Sequence, residues 1–312
     1  MNQKNPSVVV VGAGAMGSVF GGLLAEGGLD VTLVDVWPEH VRAIRERGLR
    51  MVGQGGDRII KVKITDDARG IHHGDIVFFQ CKATGNKVAA ESISHLFKNS
   101  NSIAVSFQNG LGNEAEIGAI IGEDRILAGL TAQAAMLEAP GVVRNHADLP
   151  SYVGEVAGGA SDRVIALAQC LSSHGLTTHA SAQIMQDKWR KLLVNIAFAA
   201  TSGLTELSLG GVLSVPALKD TAIRAMEEAS VVAAATGVEL DPRERYETFD
   251  KIMSSGARDN TSSMLADLKG RRLSEVDYIY GTAIKLADDR GIAVPTLKTL
   301  SSLIRAIEST YQ

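Results

Sequence analysis

The hydrophobic pattern changes character once along the chain. In the first part, short uncharged runs recur between glycine-rich turns and amphipathic stretches. From about Gln183 onward the strand-like runs disappear and long helical periods take over. The first run, residues 8–11, is four consecutive valines, which favour a strand buried on both faces. Residues 16–26 follow as a helix that Gly27 and Gly28 end. Further strands are expected at residues 31–34, 59–64, 76–80 and 103–107. Another begins at 125–129, and residues 152–155 read as an edge strand. Residues 161–173 form an amphipathic helix. Strands separated by helical stretches indicate a parallel sheet.

The run at residues 8–25 carries no charge, but it is not a membrane span. Gly12, Gly14, Gly17, Gly21 and Gly22 punctuate it, and glycines directly after a strand favour a tight turn into a helix. Gly12, Gly14 and Gly17 have the G-x-G-x-x-G spacing in its expected strand–turn–helix context. Gly12 permits the turn, Gly14 lets a pyrophosphate approach the backbone, and Gly17 lets the helix pack close to the strand. Ala15 and Met16 open that helix, whose N-terminus offers free N–H groups to phosphates, and they join the cofactor set. Asp35 ends the second strand, 18 residues after Gly17. An acid at about that offset binds the adenine ribose hydroxyls and repels a 2′-phosphate. NAD is therefore the expected cofactor, while Arg42 and Arg45 on the next helix keep NADP open. In such sheets ligands lie beyond the carboxyl ends of strands, where Lys82 and Asn109 both fall. The expected fold class is α/β. A Rossmann-type parallel-sheet domain over residues 1–181 is followed by an all-α domain over residues 182–312.

The second half places Lys191 and Asn195 four residues apart on one helical face, with Ala199 a turn further on. Leu192, Ile196 and Ala200 make an adjacent apolar stripe. Asn260 or Thr261 suits a helix cap, and residues 274–277 suit the start of another helix. Sequence by itself does not bring Glu275 to Lys191.

Composition narrows the functions open to such a chain. With 31 Lys and Arg against 35 Asp and Glu, the net charge of −4 gives no general attraction to nucleic acid or anionic lipid. Aromatics at 4% do not furnish a base-stacking surface. Two cysteines make neither a disulfide framework nor a zinc set, no metal is expected, and a reducing cytoplasm fits.

Five segments give the chain a resemblance to the ketopantoate reductase (2-dehydropantoate 2-reductase) family over nearly its whole length. They are GAGAMG at residues 12–17, QNGLGNE at 108–114, KWRKLLVN at 188–195, NTSSML at 260–265 and SEVDYIYG at 274–281; GIAVPT at 291–296 fits as well. The resemblance implies reduction of a 2-oxo acid to a D-(R)-2-hydroxy acid by a nicotinamide cofactor, without metal, in a cleft between the two domains. It makes Lys191 the catalytic lysine, Glu275 the glutamate near it, and Asn109 the asparagine at the cofactor and reaction centre. Lys82 becomes the first-domain lysine after a strand. Asn195, Ala199, Asn260 and Ser263 fall on the substrate side. Two positions depart from the family pattern: Ala199 and Tyr280 stand where asparagines are common. That departure opens an alternative, an NAD-dependent D-2-hydroxyacid dehydrogenase acting on 2-oxo acids with apolar side chains. A non-catalytic dinucleotide sensor is a third reading, and the sequence does not fix the oligomeric state, a homodimer being one that it allows.

Overall fold

A computed structural model describes residues 5–98 and 100–311. They divide into two compact units. One comprises the chain through Gln108 together with Asn113–Ile184; the other comprises Asn109–Gly112 together with the chain from Met185 onward.

The first unit runs β1 (Ser7–Val11), α1 (Ala15–Glu26), β2 (Asp30–Val34), α2 (Pro38–Arg47), β3 (Leu49–Gly53), β4 (Arg58–Ile60), β5 (Lys63–Thr65) and β6 (Ile76–Phe79). It continues with α3 (Asn86–Ile93), β7 (Ile103–Ser106), α4 (Asn113–Ile121), β8 (Ile126–Thr131), β9 (Ala134–Ala139), β10 (Val142–Ala147), β11 (Ser151–Glu155), α5 (Asp162–Ser173) and β12 (Thr178–Ala180). An eight-stranded sheet has the order β12-β11-β8-β7-β6-β1-β2-β5, and a four-stranded sheet has the order β4-β3-β10-β9. From β5 to β8 the large sheet is parallel; β11 turns antiparallel against β8.

The valine run is explained by its two buried faces. Val8 and Val10 enter one apolar cluster with α1 residues such as Phe20 and Leu24, while Val9 and Val11 enter another with Ile93 and Ile117. Side chains alternate across a strand, so a strand covered on both sides needs no polar positions.

Two strand expectations are corrected. Residues 59–64 are not one strand: β4 pairs antiparallel with β3 in the small sheet, and β5 pairs parallel with β2 in the large one. Alternation persists through the crossing at Lys61 and Val62, but the backbone partners change. Residues 152–155 are not at an edge, because β12 pairs parallel outside β11. The Thr-His-Ala sequence of β12 has no apolar alternation to announce it.

The second unit is built on α6 (Ile184–Thr205), α7 (Leu209–Ser214), α8 (Pro216–Ala235), α9 (Pro242–Met253), α10 (Ser263–Lys269), α11 (Thr282–Asp288) and α12 (Pro295–Glu308). A π-helical turn, Asp277–Gly281, leads into α11. Leu192, Ile196 and Ala200 are buried in its core with Met226, Ile279 and Leu297.

Candidate active site

Gly12 and Gly17 turn and pack the chain as their spacing predicts. Gly12 has φ +96°, and a Cβ there would meet the backbone nitrogen of Cys81 at 2.3 Å. A Cβ on Gly17 would lie 1.9 Å from the Gly12 carbonyl oxygen. Gly14, by contrast, faces open space with nothing within 4 Å of a Cβ. It is the N-cap of α1 and no side chain caps that end. The cradle therefore fits a pyrophosphate, which would lie on Gly14 and on the free N–H groups at Ala15 and Met16.

Asp35 is fixed at the end of β2. Its Oδ2 accepts from the Ala13 N–H at 2.7 Å, and its Oδ1 accepts from the Trp37 N–H at 2.9 Å. Each oxygen keeps a further lone pair for a ribose hydroxyl. Behind it, Ser18 Oγ donates to the Ala13 carbonyl at 2.7 Å and lies 3.3 Å from Nε2 of the buried His40. His40 Nδ1 accepts from the Gly141 N–H at 3.0 Å, so the proton belongs on Nε2. Burial pushes the imidazole pKa down and keeps it neutral, against the opposing pull of Asp35.

Lys82 is exposed at the carboxyl end of β6, where it caps the short helical turn Ala83–Gly85. The neighbouring strand end carries a buried amide network that sequence reading did not single out. Gln108 donates to the Cys81 carbonyl at 2.8 Å and to Asn86 Oδ1 at 2.6 Å, and accepts from Ser106 at 2.9 Å. Asn86 donates on to Asn113 at 2.9 Å and Glu116 at 3.0 Å. This ties the ends of β6 and β7 together. No periodicity signals it, because its members are scattered over β7, α3, α4 and the loops after β6 and β7.

In the second unit, Lys191 and Glu275 are brought together. Glu275 is buried, and its charge raises the Lys191 pKa. Desolvation is the larger influence and lowers that pKa to about 8, with help from Lys188. Lys188 is itself buried, at 4% exposure, one turn before Lys191. The sequence held the signal, a second lysine three residues away, but a helix face alone does not show that Lys188 is buried and Lys191 partly so.

Asn109 belongs to the same unit. A Cβ on Gly110 (φ +81°) would strike the Tyr278 carbonyl at 2.4 Å, and that carbonyl accepts the Leu111 N–H at 3.0 Å. Thr282 Oγ1 donates to the Leu111 carbonyl at 2.9 Å. The turn holding Asn109 is thus docked on the segment that starts with Glu275, whose carbonyl accepts from Tyr278 and Ile279.

Asn195 is half-buried on the Lys191 face and Ala199 is buried one turn on. Ser262 Oγ donates to the Ala199 carbonyl at 3.2 Å and caps α10 through the Leu265 N–H at 3.1 Å. The cap is therefore Ser262, not Asn260 or Thr261, because its hydroxyl accepts from the Leu265 N–H. Asn260 and Ser263 flank it and are exposed. Tyr280 is fully buried, and its hydroxyl donates to the Ile196 carbonyl at 2.7 Å and accepts from the Ala200 N–H at 3.0 Å. Its polar atom is consumed by the α6 backbone. Among the described residues, no group of three or more His, Cys, Asp or Glu side chains is arranged to hold a metal.

The strand order β5-β2-β1-β6-β7-β8 is the doubly wound order of dinucleotide-binding sheets. With the glycine cradle and the paired amine and carboxylate, it defines a nicotinamide-dependent oxidoreductase. The family model "Ketopantoate reductase PanE/ApbA" matches residues 8–158, and "Ketopantoate reductase PanE/ApbA C terminal" matches residues 183–308. The chain belongs to the ketopantoate reductase family.

A 2-dehydropantoate 2-reductase of Halobacterium salinarum is 32% identical over 299 residues, covering 96% of this chain and 97% of the relative. One from Pyrococcus abyssi is 32% identical over 302 residues, covering 97% and 98%. Among solved structures, D-mandelate dehydrogenase with NADH and anilino(oxo)acetate superposes with a TM-score of 0.92 at 28% identity, covering 98% of this chain and 99% of that one. A ketopantoate reductase from Ralstonia eutropha JMP134 gives 0.90 at 29%, with the same coverage.

Proposed function

We propose that the protein reduces a 2-oxo acid to a D-(R)-2-hydroxy acid, with 2-dehydropantoate as the leading substrate and NADH as the preferred reductant. What supports this is the Lys191 amine, which desolvation and the like charge of Lys188 push down to a pKa of about 8 while the charge of Glu275 pulls it back up. A reduced nicotinamide, when bound, would supply a hydride to the carbonyl carbon. Negative charge then builds on the carbonyl oxygen, and the Lys191 ammonium hydrogen-bonds to that oxygen and gives it a proton. A general acid of this kind contributes about 10²–10⁴-fold. A pKa near 8 keeps most of the amine charged at neutral pH while making the proton easier to release than from an ordinary lysine. Glu275 keeps the amine charged and oriented. Asn195, with Asn260 and Ser263, binds the substrate carboxylate and tail without neutralising Lys191. Asn109 orients the reacting groups.

Asp35 supports NADH, since a 2′-phosphate beside its carboxylate is repelled. The cytoplasm and a homodimer complete the reading. Neither Cys81 nor Cys170 is in a disulfide, and no helix among the described residues is long and apolar enough to cross a membrane. Leu303 and Ile307 stand exposed a turn apart on α12, where a second copy would cover them; light scattering on the purified protein tests this.

A second reading is favoured by Ala199 and Tyr280. Ala199 offers a methyl group beside Asn195, and the Tyr280 hydroxyl is already bonded to α6. A hydroxylated substrate tail finds fewer partners there, so 2-oxo acids with apolar side chains compete with 2-dehydropantoate. Initial rates with 2-dehydropantoate and with branched and aromatic 2-oxo acids, each run with NADH and NADPH, separate the readings by kcat/KM. A protein that binds NADH but oxidises none with any 2-oxo acid would instead be a sensor.

A further inference from the structure

Gln133 follows β8 by two residues, at the carboxyl edge of the parallel sheet where ligands bind. It is 8% exposed, yet neither its side-chain nitrogen nor its oxygen has a hydrogen-bond partner in the protein. Its backbone is held, since its N–H donates to Thr131 Oγ1 at 3.1 Å. A buried amide with both ends unmatched costs about 1–3 kcal/mol per group, and a chain can shed that cost by substituting leucine.

The strand order tells which ligand such an amide suits. A doubly wound sheet consists of two mononucleotide-binding halves. Here β1, β2 and β5 form the half with the glycine turn and Asp35, which suits the adenosine side. Strands β6, β7 and β8 form the other half, and Gln133 lies at its last strand end. A carboxylate would satisfy only the amide nitrogen of Gln133. A primary carboxamide satisfies both atoms, because it presents one acceptor and one donor in a plane.

We propose that Gln133 recognises the carboxamide of the nicotinamide ring through a reciprocal amide–amide pair. Its Nε2 donates to the carboxamide oxygen and its Oε1 accepts from the carboxamide nitrogen. The pair fixes the rotation of the ring about its glycosidic bond, and hence the ring face presented to the substrate. The proposal rests on the dinucleotide reading of the first unit.

The experiment is calorimetric binding to the full-length wild type and to Gln133→Leu, with three probes: NADH, ADP-ribose, and the reduced 3-acetylpyridine analogue, which lacks the amide N–H donors. The wild type is expected to bind NADH about tenfold more tightly than the analogue, a difference of about 1.4 kcal/mol. Gln133→Leu binds the two alike, more weakly than the wild type binds either, and binds ADP-ribose as the wild type does. Its ligand-free melting temperature equals or exceeds the wild-type value, since two unmatched buried atoms are gone, and its NADH-induced rise in melting temperature is smaller.

An unchanged NADH affinity in Gln133→Leu overturns the proposal. So does an equal loss for ADP-ribose, which would mark a general lesion, and so does a loss confined to KM for the 2-oxo acid, which would assign the amide to the substrate. If Gln133→Leu does not fold, Gln133→Glu serves. It keeps the acceptor but not the donor, so it must bind both NADH and the analogue more weakly while keeping the preference for NADH. Failure of the wild type to bind either NADH or ADP-ribose would instead defeat the dinucleotide reading.

Discussion

Gly17 leaves no room for a side chain against Gly12: a Cβ there would sit 1.9 Å from the Gly12 carbonyl oxygen, well inside contact distance. The two glycines are therefore a packing pair as much as a ligand motif, and they differ from Gly14, which has nothing near it.

That difference separates stability from binding. Gly17→Ala forces backbone apart and is expected to cost roughly 1–3 kcal/mol or more. Gly14→Ala has an ordinary φ of −61° and free space, so its melting temperature should stay near wild type while NADH affinity falls. Thermal melts and calorimetry on both variants check this. A Gly14→Ala protein that bound NADH normally would contradict the cradle.

Lys191→Ala should lower kcat by about 10²–10⁴-fold while leaving the Kd for NADH nearly unchanged. Near-wild-type turnover would remove Lys191 from the reaction.

The pH profile gives a sharper test of the same amine. The proton donor is lost as pH rises through the Lys191 pKa of about 8, so kcat/KM should be flat below that pH and fall above it. Glu275 raises this pKa and Lys188 lowers it. Glu275→Gln should therefore shift the alkaline limb to lower pH, and Lys188→Met should shift it to higher pH. Shifts in the reverse directions would show that the two charges do not act on the titrating group.

Asp35→Asn removes the charge that repels a 2′-phosphate while keeping a carbonyl to accept from Ala13 or Trp37. The ratio of kcat/KM for NADH over NADPH is expected to fall by about tenfold or more, a change of about 1.4 kcal/mol. A ratio already favouring NADPH in the wild type would overturn the cofactor preference.

Tyr280→Phe keeps the ring but strips the hydroxyl from the Ile196 carbonyl and the Ala200 N–H. The loss should be about 1–3 kcal/mol, seen as a lower urea midpoint. No change in midpoint would mean that this turn of α6 closes its own hydrogen bond without the phenol.

Much of the first unit was legible because its code is local. Four valines buried on both faces, glycines at fixed offsets and an acid at the end of the next strand are each read from neighbours in sequence. The small sheet was not legible. β3 and β10 pair across some ninety residues, and β9, though apolar in sequence, exposes most of its side chains, so no local pattern announces their pairing.

The candidate site divides the same way. Sequence alone determined that Lys191, Asn195 and Ala199 share a helical face, since 3.6 residues per turn fixes which side chains align. It also marked Gly12 as a turn glycine and Gly17 as a close-packing one. Only the tertiary structure decided that Glu275 and Lys188 bear on Lys191, that Tyr280 binds the α6 backbone, and that Gln133 is buried with its amide unmatched. Those are facts of desolvation and of contacts between residues far apart in the chain, and no local pattern encodes how much water a folded chain removes from a given charge.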